Sequence, residues 1–409
     1  MRWATFSAAG KNRPARGAAV LLLMLALGVA TAAPRPTATV SGHVVDGDAW
    51  QPLAGVTIVW DKQRAVTGAD GAYQLRLPAG VRTLTFSAPG RAAARKLVVI
   101  RDPGKAVRLD AVMPAGGPAP VLRLAMNRGL YLSPEGKVLP TDAKPAGTLT
   151  LADAFGNQDR PLRLNLRGFN AWAPTWAPGG QAVYYGVDGT FHKPADRKYL
   201  GVFRHEPATG RTEAVLRGHG IRHIARNADG TSLAVAGEKS LYVLDAAARP
   251  NPSPRPAFSL GNARGWLLSV AWGPADWIYF TVDDQIPLDE RRYASRPRIA
   301  RMHSDGSGLE PRWAAAEQSA CRYPLALTDG AVLYGRHSLD GTAQEVWLRP
   351  AAEESERKLA DTALRPIWLD AVAHRLYYIY MLDLHVRDLR TGADLVIVQS
   401  AVQADYRRD

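Results

Sequence analysis

Trp176, Trp272 and Trp368 stand 96 residues apart, and each is followed by a turn and then an apolar run. "TWAPGG" leads into "QAVYYGV", "AWGPAD" into "WIYFTV", and "IWLDAV" into "HRLYYIYM". Weaker copies fill the gaps: Leu132 in "LYLSPEG", Arg226 in "ARNADG" and Ala326 in "LALTDG" hold the corresponding position. Six such positions follow one another at spacings of 42 to 54 residues. A third run ending in a turn comes next in each unit, as in "GVFRHEPATG" and "RIARMHSDGSG", and a short fourth run closes it. Four short strands per unit at a period in the forties is the pattern of a β-propeller. One twisted four-stranded sheet exposes two apolar faces and buries them only against copies of itself, so the ring has to close. Residues 121–402 are therefore expected to form a six-bladed β-propeller, with the tryptophans as core between neighbouring blades.

Residues 37–114 have a different texture. "TATVSGHVVD", "GVTIVW", "AYQLRLP", "RTLTFS", "RKLVVI" and "DAVM" are short β-rich runs separated by Gly, Pro and Asp turns. Runs of this length predict a small, seven-stranded-type β-sandwich, and the whole chain reads as all-β. In "AYQLRLP", Tyr73, Leu75 and Leu77 point one way, and Gln74 and Arg76 the other. The segments "VSGHVVD", "PLAGVTI", "TGADGAYQLRLPAG" and "FSAPGR" resemble, in this order, the carboxypeptidase regulatory-like family, a transthyretin-like sandwich. That resemblance implies a spacer, adhesion or assembly module with no chemistry of its own. Residues 115–120, with "GGPAP", read as a short stiff linker that separates two cores. In the second region the W-x-P-x-G phrase resembles the TolB-type propeller repeat, most closely in the second and fourth units.

The first 33 residues are read as a leader. Arg2, Lys11, Arg13 and Arg16 precede the apolar run "AAVLLLMLALGVA", and "ATAAP" offers small residues for cleavage after Ala32 or Ala33. This is the pattern of a secretory signal peptide and predicts a periplasmic or secreted protein without an integral membrane segment in its mature part. The chain carries a formal net charge of +13, which fits attraction to anionic envelope surfaces or plain solubility. No dense basic run or nucleic-acid module accompanies it, so nucleic acid is not an expected partner. A single cysteine, Cys321, rules out an intramolecular disulfide.

Two segments between second and third strands are long, "DGTFHKPADRKYLG" and "DDQIPLDERRYASRPR". Long loops on one face of a rigid ring are where propellers bind partners. The candidate partner-binding residues are His192, Lys193, Asp196, Arg197 and Tyr199 in the first loop, and Asp283, Asp284, Arg291, Arg292 and Tyr293 in the second. Catalytic motifs are lacking. "DGSG" at 305–308 reads as a hairpin turn, Cys321 has no evident base, and His219 and His223 in "RGHGIRH" lie in a loop without a neighbouring acid. No metal or cofactor is called for. These features point to an exported, non-catalytic binding or scaffold protein of a bacterial cell envelope, with an envelope protein or glycan as partner. The alternative is an enzyme with its site in the propeller channel, a polysaccharide lyase or metal-dependent hydrolase. It requires at least three of His192, His219, His223 and His337 to converge.

Overall fold

The computed structural model describes residues 36–116, 123–128, 148–158, 160–162, 164, 170–188, 200–247, 254–287, 293–314, 319–338, 343–352, 355–361, 365–399 and 401–406. The first 33 residues, read above as a leader, lie outside them, as does "LYLSPEG". Residues Thr37–Asp409 form one compact unit.

The sandwich packs two four-stranded sheets. One contains β1 (Thr37–Asp46), β4 (Ala72–Pro78), β7 (Val107–Arg108) and β8 (Ala111–Met113). The other contains β2 (Thr57–Trp60), β3 (Gln63–Val66), β5 (Gly80–Ser87) and β6 (Ala94–Ile100). The pieces β7 and β8 run parallel to the same strand, β1, on either side of a break at Leu109 and Asp110, so the sandwich is of the seven-stranded type expected. Alternation works as read in β4, where Tyr73, Leu75 and Leu77 are buried and Gln74 and Arg76 exposed. Gly71 has φ +74, and a Cβ there would lie 2.5 Å from the Val44 carbonyl oxygen, so the turn before β4 needs glycine.

Six further four-stranded antiparallel sheets form the propeller. The second blade is β12 (Asn170–Trp176), β13 (Val183–Asp188), β14 (Gly201–His205) and β15 (Thr212–Arg217). The third is β16 (His223–Arg226), β17 (Ser232–Ala236), β18 (Ser240–Asp245) and β19 (Phe258–Ser259). The fourth is β20 (Gly265–Trp272), β21 (Trp277–Pro287), β22 (Tyr293–His303) and β23 (Glu310–Ala314). The fifth is β24 (Ser319–Ala326), β25 (Val332–Ser338), β26 (Gln344–Arg349) and β27 (Arg357–Asp361). The sixth is β28 (Arg365–Asp370), β29 (Arg375–Tyr380), β30 (Asp383–Asp388) and β31 (Asp394–Val398). Trp176, Arg226, Trp272 and Ala326 each end an inner strand, as the repeat requires. Trp368 sits two residues short of the end of β28, just past a bulge, so its interval of 96 residues overstates its equivalence.

The first blade departs from the repeat. It combines β9 (Leu124–Arg128), β10 (Thr148–Ala152) and β11 (Arg160–Pro161) with β32 (Ala401–Tyr406), in the order β11-β10-β9-β32. The expectation of six contiguous units, each with its own inner strand, over residues 121–402 is therefore corrected. β9 is the second strand of its blade, and the inner strand comes from residues 401–406. Pairing remote segments within one sheet closes the ring and removes two unpaired edges. Around the centre the inner strands follow the order β12, β16, β20, β24, β28, β32, each in contact with the next.

The two cores are not separate. Val45 and Val112 of the sandwich belong to the same buried cluster as Leu124, Ile367, Tyr377 and Ile397 of the propeller. Residues of β1 and β8 lose their alternation at this place, reading buried throughout at Val44–Asp46 and Ala111–Met113. Ala111 and Met113 face the sandwich core while Val112 faces the ring. Polar groups lock the seam. Lys96 donates from Nζ to the carbonyls of Phe155 at 2.8 Å and Ile397 at 2.7 Å, so it spans the first and sixth blades. The Asp110 amide donates to the Val396 carbonyl and its Oδ2 accepts from the Val396 amide, both at 2.8 Å. Asp110 thus occupies the open edge of β31 as a neighbouring strand would. Its carboxylate is fully buried and also accepts from the His43 amide at 2.7 Å.

Candidate functional site: the propeller channel and the loop face

The inner strands line a central cavity of about 490 Å³. Every blade contributes. Thr175 comes from β12, His223 from β16, Ser269 from β20, Tyr323 from β24, Arg365 from β28 and Asp405 from β32. Residues of the first turns, such as Gly179, Ala228, Pro274 and Thr328, line the cavity at the opposite ends of the inner strands. The mouth therefore lies on the turn side, and Arg365 and His223, at the starts of their strands, lie deep.

Arg365 is nine-tenths buried, and its guanidinium carbon sits 5.0 Å from the centre of the Tyr323 ring. His223 faces the cavity but is otherwise enclosed by protein. Burial, and then the charge of Arg365, bring its pKa down to about 3. The Val270 amide donates to its Nδ1 at 3.3 Å, a bond that the lone pair of a neutral ring accepts. Thr175 donates to the Ile224 carbonyl at 2.9 Å, and Asp405 Oδ2 accepts from the Trp176 amide at 2.8 Å. Ser269 and Thr281 share a buried hydroxyl hydrogen bond of 2.8 Å. Tyr323 holds φ +56 at a bulge in β24, a backbone region that non-glycine residues avoid. Trp272 is half-buried. It packs against the core shared by the third and fourth blades and also lines the mouth, whereas Trp176 is 1 % exposed.

The opposite face carries the connections that were expected to bind a partner. "DDQIPLDERRYASRPR" is not a loop over most of its length. β21 and β22 continue it as a hairpin of two 11-residue strands, paired as far as Pro287 opposite Tyr293. The reason lies in the cross-strand partners. Asp283 is buried, accepting from Ser295 Oγ at 2.6 Å, and Asp284 pairs with Arg298 Nε at 2.6 Å. Tyr293 stands at the start of β22, with Arg264 over its ring at 4.6 Å. His192, Lys193, Asp196, Arg197, Tyr199, Arg291 and Arg292 lie outside the described residues. Beside the hairpin, Trp266 is 37 % exposed and Arg222 lies over its ring at 6.0 Å. Neither Trp266 nor its two neighbouring arginines was singled out in the sequence. Their signal is positional only, since they sit at the starts of inner strands and in the connections that precede them.

The histidines of the channel-enzyme alternative take different positions. His219 meets Tyr242, with the hydroxyl 3.2 Å from Nδ1, His223 lies in the channel, and His337 is on a second strand, β25. His192 lies outside the described residues. Among the described residues no three His, Cys, Asp or Glu side chains gather where they could hold a metal ion. Cys321 is buried within β24, and "DGSG" forms a hairpin turn in which Asp305 accepts from the Ser307 amide at 2.8 Å.

Fold and site define a two-module all-β protein, a six-bladed propeller with a transthyretin-like sandwich fixed to its flank. Residues 39–114 match the carboxypeptidase regulatory-like domain family. Solved structures similar to the chain include TolB from Acinetobacter baumannii, at 14% identity over 86% of this chain and 82% of that one, with a TM-score of 0.49. Oligogalacturonate lyase in complex with manganese follows at 13% identity, 78% and 86% coverage and a TM-score of 0.46. The tricorn protease is similar at 10% identity over 84% of this chain and 38% of its own, with a TM-score of 0.45. No curated protein matches the chain in sequence. No helix among the described residues is long and apolar enough to cross a membrane.

Proposed function

We propose that this is an exported binding or scaffold protein of a bacterial cell envelope, without catalytic activity, whose propeller engages a protein or glycan partner through its loop face. The observation that carries the reading is the two pairs found there, Arg222 over the Trp266 ring and Arg264 over the Tyr293 ring. Tryptophan, tyrosine and arginine are the residue types that dominate binding energy at interfaces, because each offers a large apolar surface with a polar end. A group of them on a rigid ring loses little entropy on binding. The sandwich supports the reading by its rigid seam, since a module fixed to the ring holds the loop face in a defined direction.

The test is capture from an envelope extract with the mature chain and with a Trp266→Ala/Arg264→Ala variant. Both positions are exposed, so the variant is expected to melt like the parent and to lose the captured partner. Equal capture by the two proteins, or turnover of an envelope polysaccharide by the pure protein, defeats the reading. Export is checked separately by sequencing the mature N-terminus, expected just after Ala32 or Ala33.

A further inference from the structure

We propose that the partner of the loop face is a glycan, and that one of its sugar rings is received on the side of the β21–β22 hairpin that carries Trp266, Gln285 and Tyr293. This rests on the loop-face reading given above and adds the chemistry of the partner.

β21 and β22 run for 11 residues each, whereas the second and third strands of the second, third, fifth and sixth blades run for five to seven. The hairpin therefore reaches beyond the strands around it. Residues opposite one another in an antiparallel pair share a face, as does every second residue along a strand. Trp266 is opposite Asp283, Gln285 opposite Ser295, and Pro287 opposite Tyr293, so Trp266, Asp283, Gln285, Ser295 and Tyr293 share one face. Arg322 of β24 donates to Ser295 Oγ at 3.1 Å, so this face is turned towards the fifth blade. It is open: Trp266 and Ser295 are exposed, and Gln285 and Tyr293 half-buried. Arg264, also exposed, lies over the Tyr293 ring at 4.6 Å. Between Arg264 and Trp266, Gly265 has φ +129, and a Cβ there would lie 2.2 Å from the Asp283 carbonyl oxygen. Only glycine fits, so the placing of the two side chains is built into the backbone.

The chemistry of this face is that of sugar recognition. A sugar presents a C–H face that lies on an aromatic ring, and hydroxyls that both donate and accept hydrogen bonds. Trp266 supplies the ring. The Gln285 amide nitrogen donates to Asp283 at 3.3 Å, which leaves its carbonyl oxygen to accept from a hydroxyl. A guanidinium that lies over a ring keeps its N–H edge for an acceptor, and Arg264 is so placed. Asp283 is already bonded to Ser295 and Asp284 to Arg298, so these carboxylates hold the hairpin in shape. A protein partner anchors instead through a side chain in a desolvated apolar pocket. Apart from the two rings, the residues on this face and beside it, Asp283, Gln285, Ser295, Arg264 and Arg322, are polar.

The test is isothermal titration of the full chain with chitotetraose, with a hyaluronan tetrasaccharide and with soluble muropeptides. Saturable binding of at least one is expected. The one that binds most tightly distinguishes a neutral amino sugar, a uronate and a peptide-bearing sugar as the natural residue. Trp266→Ala is expected to weaken that binding at least tenfold and Gln285→Ala at least threefold, with melting unchanged in both. Binding of none of the three overturns the proposal, and so does binding that Trp266→Ala leaves within twofold of the parent. Capture of a protein from the envelope extract through Trp266 and Arg264, with no saccharide bound, overturns the glycan while the loop-face reading stands. Equal capture by parent and double variant, with saccharide binding still lost in Trp266→Ala, does the reverse.

Discussion

Two of the places where this molecule buries charged residues are the seam and the channel, and they are built differently. At the seam between sandwich and ring, Lys96 and Asp110 each meet backbone groups of the other module at 2.7 to 2.8 Å. In the channel, Arg365 and His223 border a cavity, and the burial of each depresses its pKa. A buried ion whose bonds are completed by the protein fixes geometry. A buried ion that borders a cavity is within reach of whatever enters that cavity. The seam is therefore structural and the channel is a candidate site, although both would look alike in a list of buried charged residues.

The sharpest way to break this distinction is at the seam. Asp110→Ala strands the amides of His43 and Val396 and removes the carboxylate partner of Arg108, whose guanidinium is 2.9 Å away. A loss of about 3 kcal/mol or more is expected. Because one apolar cluster spans both modules, calorimetry is expected to show sandwich and ring melting in one transition, lowered as a whole. Two transitions, with only the sandwich shifted, would mean that the seam is a weak contact.

A smaller effect belongs to the channel and is read with pH. His223 titrates near 6.5 when unfolded and at about 3 in the folded protein, so the unfolded chain binds the extra proton first. The stability contributed by the neutral ring is complete above the unfolded value and is lost as pH falls towards 3. Between pH 7 and pH 5 this amounts to roughly 2 kcal/mol. Urea melts at both pH values are expected to show a fall that His223→Gln reduces by about that amount. An identical fall in the variant would place the ring in contact with water.

The smallest effect is expected at the mouth. Trp272 is half-buried, so Trp272→Ala is expected to cost about 1–2 kcal/mol, well below the 3–5 of a fully enclosed tryptophan. Thermal denaturation measures it. A cost as large as that of Trp176→Ala would show that the channel side of the indole is closed off.

The propeller was legible because each blade repeats a local phrase: strand, turn with glycine or aspartate, apolar strand. Trp176, Arg226, Trp272 and Ala326 could be placed at strand ends from that phrase alone. The first blade was not legible, since its inner strand is drawn from residues 401–406 and no local pattern records such a pairing. The seam left a trace that alternation arguments pass over. "VVD" and "DAVM" run apolar without a polar face because both of their faces are covered. The hairpin of β21 and β22 reads as a loop in the sequence because Asp283, Asp284 and Arg298 look like solvent-facing charges, whereas across the strands Asp283 is bonded to Ser295 and Asp284 to Arg298. Channel residues were hidden for a different reason. Arg365, His223 and Tyr323 come from three blades, and only closure of the ring brings them to one place.

The position of Lys96 carries a consequence for the order of folding. Its two carbonyl acceptors belong to the first and sixth blades, which become neighbours only when β32 has paired with β9. Contacts across some 300 residues form late, after the loop between them has been closed. Final docking of the sandwich therefore has to wait for the last segment of the ring, even though the sandwich comes first in the chain. Once docked it acts as a latch over the join, and protection of the Val99 and Val396 amides from hydrogen exchange becomes a clock for the moment the ring shuts.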